Sequence, residues 1–205
     1  MEQYRAPVGI QRSETEIKRS KFITTFSQVE NKAGGKHFIA RVRNEFPDAN
    51  HHCWAMIAGA PDDLYQQDQS DDGEPKGTAG KPMQNVLQHS GLGNIVVVVT
   101  RYFGGIKLGA GGLVRAYTRA VSEPLKTLDT IAVIHKEAVP VELPYTALAE
   151  FEHWLKSTAI EVAEKNFTDS VSLVLLVPVA ENKLLKEKIR TAGGLVITPA
   201  AGFSE

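Results

Sequence analysis

Cysteine is nearly absent: Cys53 is the only one in 205 residues. A lone thiol excludes an internal disulfide and a thiolate-held metal cluster. No apolar run approaches the ~20 residues of a membrane-crossing helix, and the opening MEQYRAPVGIQRSETE lacks a secretory hydrophobic segment. The expectation is a soluble, cytoplasmic protein with no membrane partner. A more telling gap concerns charge. Between Glu74 and Glu123 there is no Asp or Glu, yet Lys76, Lys81, Arg101, Lys107, Arg115 and Arg119 all lie there.

Overall charge hides this asymmetry. The chain carries 23 Lys/Arg and 24 Asp/Glu, a net charge of −1. Residues 1–74 sum to −3, 75–136 to +6 and 137–205 to −4. The middle of the chain therefore suits a localised anion, not general polyanion binding by the whole surface. The same stretch is rich in glycine, with ten of the 17 between Gly73 and Gly112. Uncompensated cations beside Cβ-free backbone fit phosphate above other anions.

Hydrophobic periodicity divides the chain near residues 129–139. Residues 1–12 read as a loose arm, followed by two strand-like pieces over 15–29 with KRSK between them. Phe38, Ile39, Val42 and Phe46 predict a helix over 31–46, ended by Pro47. A strand over 51–58 and a long polar loop over 59–77 come next. A short helix opens near Pro82, carrying Met83, Val86 and Leu87 inward. Residues 94–102 contain IVVVV and predict a strand covered on both faces. Residues 103–112 form a glycine-rich turn, and 113–122 a helix closed by Pro124. Beyond residue 137 the order strand, helix, strand, strand, helix, strand predicts a ferredoxin-like βαββαβ domain. The fold class is thus α+β with two domains, 1–136 and 137–205.

RYFGGIKLGAGGL, residues 101–113, sits between a buried strand and a helix, where nucleotide-binding turns place anions. It is neither a Walker A loop nor a dinucleotide fingerprint, because no Gly-Lys-Ser/Thr closes it and its glycine spacing differs. Gly104, Gly105, Gly109, Gly111 and Gly112, with Arg101, Lys107, Arg115 and Arg119, are its candidate phosphate contacts. The alternative is a turn whose glycines serve close packing. In DDGEPKGTAGKP, residues 71–82, Asp71, Asp72 and Glu74 lack the ligand alternation of a calcium loop. They read as a solvated acidic turn and not as a metal site. Lys76, Thr78 and Lys81, next to a helix start, are better anion contacts. His51, His52 and Cys53 alternate faces on a strand and have no partner motif, so packing is preferred over a metal or Cys-His catalysis. The candidate cations are expected to form one continuous recognition face.

These residues carry a resemblance. SDDGEPKGTAGKP followed by VVVVTRYFGGIKLGAGGLVRAYTRAV resembles the signature of the IMPACT family, the YigZ-type proteins of bacteria. EIKRSKFIT and HHCWA upstream are similar to it too. The matching positions are Asp71, Asp72, Gly73, Glu74, Pro75, Gly77, Thr78, Gly80, Arg101, Tyr102, Gly104, Gly105, Gly109, Gly112 and Leu113. The resemblance implies a first domain of the left-handed βαβ type shared by a ribosomal small-subunit protein and domain four of elongation factor G. It implies a second domain similar to domain five of that factor. Eukaryotic members regulate translation by competing for the activator of a kinase acting on an initiation factor, a role that involves an RWD domain for which this chain has no room. No catalytic residue and no cofactor come with the family. The expected function is a non-enzymatic RNA- or ribosome-associated regulator of translation, possible partners being RNA, the ribosome or a protein of translation control. The alternatives are an enzyme acting on a nucleotide or phosphorylated small molecule, and a protein-interaction module anchored by Tyr102 and Phe103.

Overall fold

The computed structural model describes residues 3–134 and 136–197. It divides into two compact units, Gln3–Val133 and Ile134–Glu205. Among the described residues no helix is long and apolar enough to cross a membrane.

The first unit is organised by an antiparallel sheet with strands β2 (Ile10–Ile17), β3 (Ser20–Gln28), β4 (His51–Ile57), β5 (Gln67–Ser70) and β6 (Ile95–Tyr102), in the order β2-β3-β6-β4-β5. β6 is central and runs antiparallel to both β3 and β4. Its apolar run follows from its place. Ile95, Val97 and Val99 face helices α2 (Gly80–Ser90) and α3 (Ala110–Leu125) with Met83, Leu87, Leu113 and Tyr117. Val96 and Val98 face helix α1 (Lys32–Glu45) with Phe38, Ile39 and Val42. Each of these valines is fully buried, and full burial of such a side chain contributes about 1.5–3 kcal/mol. One strand thereby holds helices on both sides of the sheet.

Several expectations need correction. The proposed loose arm is β1 (Gln3–Pro7), paired with β7 (Thr130–Ile134), and the start of β2. The long polar loop contains a helical turn at Leu64–Gln66 and then β5, whose residues QDQS give no apolar signal because it is an edge strand. Helix α2 starts two residues before Pro82, and α3 starts at Ala110 and contains Pro124 within it. Pro124 lies in the last turn, and the Ala120 carbonyl that its missing N–H would have engaged accepts instead from the Thr24 hydroxyl at 2.9 Å.

The second unit runs β8 (Lys136–Leu143), α4 (Tyr145–Leu155), β9 (Glu161–Phe167), β10 (Val171–Pro178), α5 (Asn182–Thr191) and β11 (Leu195–Val196). Its sheet order is β11-β8-β10-β9, with antiparallel pairs throughout. Alternate residues of β10 (Val171, Leu173, Leu175 and Val177) pack with Phe151, Leu155, Leu185 and Ile189. β11 ends at Val196, and residues 198 and 199, where the sequence also suggests strand, lie outside the described residues.

One close approach fixes the position of the glycine-rich turn. A Cβ on Gly104 would lie 1.9 Å from the Arg19 carbonyl oxygen, at the tip of the β2–β3 hairpin. Gly104→Ala should therefore destabilise the first unit by about 3 kcal/mol. Urea denaturation should show the midpoint falling while the signal of the folded second unit persists.

Candidate functional site

The loop between β5 and α2 is built from its three acids, none of them left to solvent. Asp71 accepts the amides of Gly77, Ala79 and Gly80 at 2.7, 2.9 and 2.8 Å. That carboxylate caps α2, filling the helix start that Lys76, Thr78 and Lys81 were expected to offer to an anion. Partial burial pushes its pKa up, but the three amides outweigh this and hold it below the usual value. Asp72 accepts the His52 amide at 2.6 Å and pairs with Arg43 at 2.6 Å. Its φ of 44° and the 86° of Gly73 make the corner.

Glu74 points inward. Its Oε1 takes Arg101 Nη1 at 2.5 Å and the Tyr117 hydroxyl at 2.8 Å, while Oε2 lies 4.0 Å from His51 Nε2. Arg101 is only 5% exposed and also donates to Ser20 Oγ at 3.3 Å. Cys53 Sγ lies 3.2 Å from the Tyr117 hydroxyl and 3.0 Å from the Asp71 carbonyl. Loop, central strand and α3 are thus joined through one buried ion pair. Burial pushes the Cys53 thiol and the Tyr117 hydroxyl far above their ordinary values, so neither ionises near neutrality. Cys53 is consequently no thiolate nucleophile.

This geometry revises the candidate list. Arg101 is not a free phosphate contact, because its charge is answered by Glu74. Thr78 is buried and its hydroxyl donates to the Pro75 carbonyl at 2.6 Å. The acidic turn is an internal strut, not a solvated one. Asp71, Asp72 and Glu74 are each committed elsewhere, and no metal-holding group of acids, His or Cys occurs among the described residues. The analogy with nucleotide-binding turns at parallel strand ends also lapses, since β6 has only antiparallel neighbours.

The remaining cations are exposed but divided. Lys81 lines the groove between α2 and α3, with Val86, Val114, Thr118 and Lys126. Arg115 and Arg119, one turn apart on α3, line a different hollow with Leu108, Gly112 and Lys18. Lys107 lines a third, at the start of α3. Lys76 stands exposed on the loop. The single continuous face expected from sequence is instead a set of hollows distributed around α3.

Lys18 was missed by sequence reasoning. It and Arg19 form a two-residue hairpin turn with φ of 48° and 64°, at about 1–2 kcal/mol for each non-glycine residue. Ser20 then anchors the turn by accepting the Gly104 amide at 3.2 Å. The available signal was KRSK between two strand patterns, with no Gly, Asn or Asp to mark a turn. Gly109 and Gly105 also have positive φ, 70° and 82°. Gly109 is the N-cap of α3 and supplies no side-chain cap, leaving the amides at Ala110, Gly111 and Gly112 without one. Tyr102 is half-buried, Phe103 is 47% exposed, and Leu113 is in the core.

The architecture is that of a two-unit α+β protein whose signature loop and glycine turn are tied together by a buried ion pair. A profile of the Impact N-terminal domain matches residues 18–125, and one of a domain of unknown function (DUF1949) matches residues 141–193. The chain is 43% identical to IMPACT family member YigZ of Escherichia coli over 166 residues, 81% of each chain. It is 41% identical to an IMPACT family member of Haemophilus influenzae over 175 residues, 85% of each. It resembles a solved structure of a hypothetical protein with a TM-score of 0.80 at 36% identity, covering 98% of this chain and 100% of that one. The chain belongs to the IMPACT family.

The three acids differ in what the loss of each contact should do. Glu74→Ala leaves a buried guanidinium without its carboxylate and should cost about 3–5 kcal/mol. Arg43→Ala, which breaks the half-exposed pair with Asp72, should cost less than about 1 kcal/mol. Asp71→Ala removes a cap worth about 2 kcal/mol at neutral pH. A carboxylate with a lowered pKa stabilises above its unfolded value, ~3.9, and that stabilisation is lost as acid protonates it. The gap between Asp71→Ala and the unaltered protein in urea midpoints should therefore be wide at pH 7 and close as pH falls below the ordinary carboxylate range.

Proposed function

We propose that this chain is a non-enzymatic RNA- or ribosome-binding protein that influences translation in the cytoplasm. The reading rests on one observation. Lys18, Arg115 and Arg119 line a single hollow of about 310 Å³ whose wall contains no carboxylate. Arg115 and Arg119 stand on one face of α3, four residues apart, and Lys18 comes from the hairpin opposite. A hydrogen-bonded turn in left-handed backbone is a rigid mount for a cation, and such strain persists where the surroundings fix it. Converging cations with nothing to neutralise them favour phosphate oxygens, which guanidinium groups bind in a forked geometry. Lys107, also without an ion-pair partner among the described residues, extends the positive field beyond the hollow. Family membership supports a role in translation through the relatives it implies, and the second unit would extend or orient the contact.

Phosphate-dominated binding releases counterions, so affinity should fall steeply with salt. Replacing Arg115 and Arg119 together by Glu should abolish RNA or ribosome binding at low salt. Thermal unfolding should change little, because both side chains are exposed and unpaired. Co-sedimentation with ribosomes and gel shifts with RNA at two salt concentrations provide the measurement. Intact binding in the double variant would remove this hollow from the interface.

A further inference from the structure

We infer that the cavity at the start of α3 is a separate site for a phosphomonoester carried on a flat, partly apolar body, such as a nucleotide. The inference extends the phosphate-binding reading to a second location, and can fail without it. The cavity has a volume of about 420 Å³, in the range of small-molecule sites. At one end stands the N-terminus of a 16-residue helix whose N-cap, Gly109, contributes no side chain to its free amides. Those amides and the helix dipole favour an anion.

Two features independent of the helix point the same way. Lys107 lines the cavity, is exposed, and has no ion pair among the described residues. Arg101 also forms part of the wall: Glu74 and Ser20 take its two Nη atoms, and its buried Nε has no hydrogen-bond partner among the described residues. The only carboxylate in the wall is Glu74. Arg101 and the Tyr117 hydroxyl engage its Oε1, so its charge is answered within the protein. His51, also in the wall, is oriented by the contact of its Nδ1 with the Asp72 carbonyl at 2.9 Å, and its Nε2 lies 4.0 Å from Glu74 Oε2.

The rest of the wall is apolar apart from Asn50, whose Oδ1 accepts the Phe103 amide at 2.7 Å. Phe103, 47% exposed, lies with its ring 5.7 Å from the Arg101 guanidinium, and Leu108, Leu113 and Pro75 also line the cavity. A charged end and an apolar side with an exposed aromatic ring match a phosphate joined to a planar base. A terminal phosphate presents more unshared oxygens and more negative charge to the helix start than a diester within a strand does. The shared chemistry is the phosphomonoester, whether on a free nucleotide or on the phosphorylated end of an RNA strand.

Ala110→Asp tests this without threatening the fold. An Asp in the first turn of α3 suits the dipole and should hold or raise the unfolding temperature, while its carboxylate occupies the anion position. Calorimetric titration and thermal shift would compare adenosine 5′-monophosphate with adenosine, and a 5′-phosphorylated RNA oligonucleotide with its 5′-hydroxyl twin. The unaltered protein should prefer the phosphorylated member of a pair by at least about tenfold, and Ala110→Asp should lose that preference. Arg115→Glu with Arg119→Glu should retain it, even where general RNA binding is gone. A response to the mononucleotide assigns the site to a free nucleotide, and a response to the oligonucleotide pair alone assigns it to a strand end. Equal binding of both members of each pair, no binding, or an undiminished preference in Ala110→Asp would overturn the proposal.

Discussion

The first unit depends on the ion pair between Glu74 and Arg101. Bringing two charges out of water is expensive, and the attraction between them compensates only when further hydrogen bonds complete the arrangement. Here they do. Tyr117 and Ser20 supply them, and the Arg101 guanidinium also lies 5.5 Å from the Phe22 ring. The four residues come from four places: the signature loop, α3, the start of β3 and the end of β6. Apolar packing alone would not select this register, because a valine-rich strand can slide against neighbours of similar shape. A buried charge cannot slide without losing its partner. The pair therefore acts on arrangement more than on total stability, and it fixes where the loop and α3 meet the sheet.

From that junction the neighbouring geometry follows. With Glu74 drawn inward, the loop returns so that Asp71 reaches the amides at the start of α2. Asp72 is turned to the backbone of β4. The glycine turn after Tyr102 is held against the β2–β3 hairpin by the Gly104 contact, and Ser20 bonds both the turn and Arg101. Two stretches far apart in sequence, KRSK and RYFGG, are thus parts of one structure.

Much of the fold was legible from sequence because burial leaves periodic traces. The IVVVV run showed a two-sided strand, and alternating or helical spacing located α1 and the strands and helices after residue 136. What was not legible has specific causes. β1, β5 and the first half of β2 are strands with little apolar burial on at least one face, so composition made them resemble loops. A proline usually ends a helix because the carbonyl four residues back loses its donor, but at Pro124 the Thr24 hydroxyl, a hundred positions away in sequence, replaces that donor. Arg101 and Glu74 looked like surface residues because charged side chains usually are. Only their pairing, 27 positions apart, permits them to be interior, and no local pattern records a partner at that separation.

The same separation explains the charge asymmetry of the middle stretch. Its lack of Asp and Glu does not leave all six cations free. Glu74, from the edge of that stretch, answers Arg101 within the core, and Asp71 takes the helix start that would otherwise attract an outside anion. The acids at the loop are consumed by architecture, and of the two helices in this stretch α3 is the one whose start receives no carboxylate. Lys107, Arg115 and Arg119 belong to the turn before that helix or to its exposed side, with Lys18 mounted opposite. One helix is capped by the protein and the other is not, and the unpaired cations gather around the second. That contrast, and not the count of positive residues, is what the proposed phosphate-binding surface rests on.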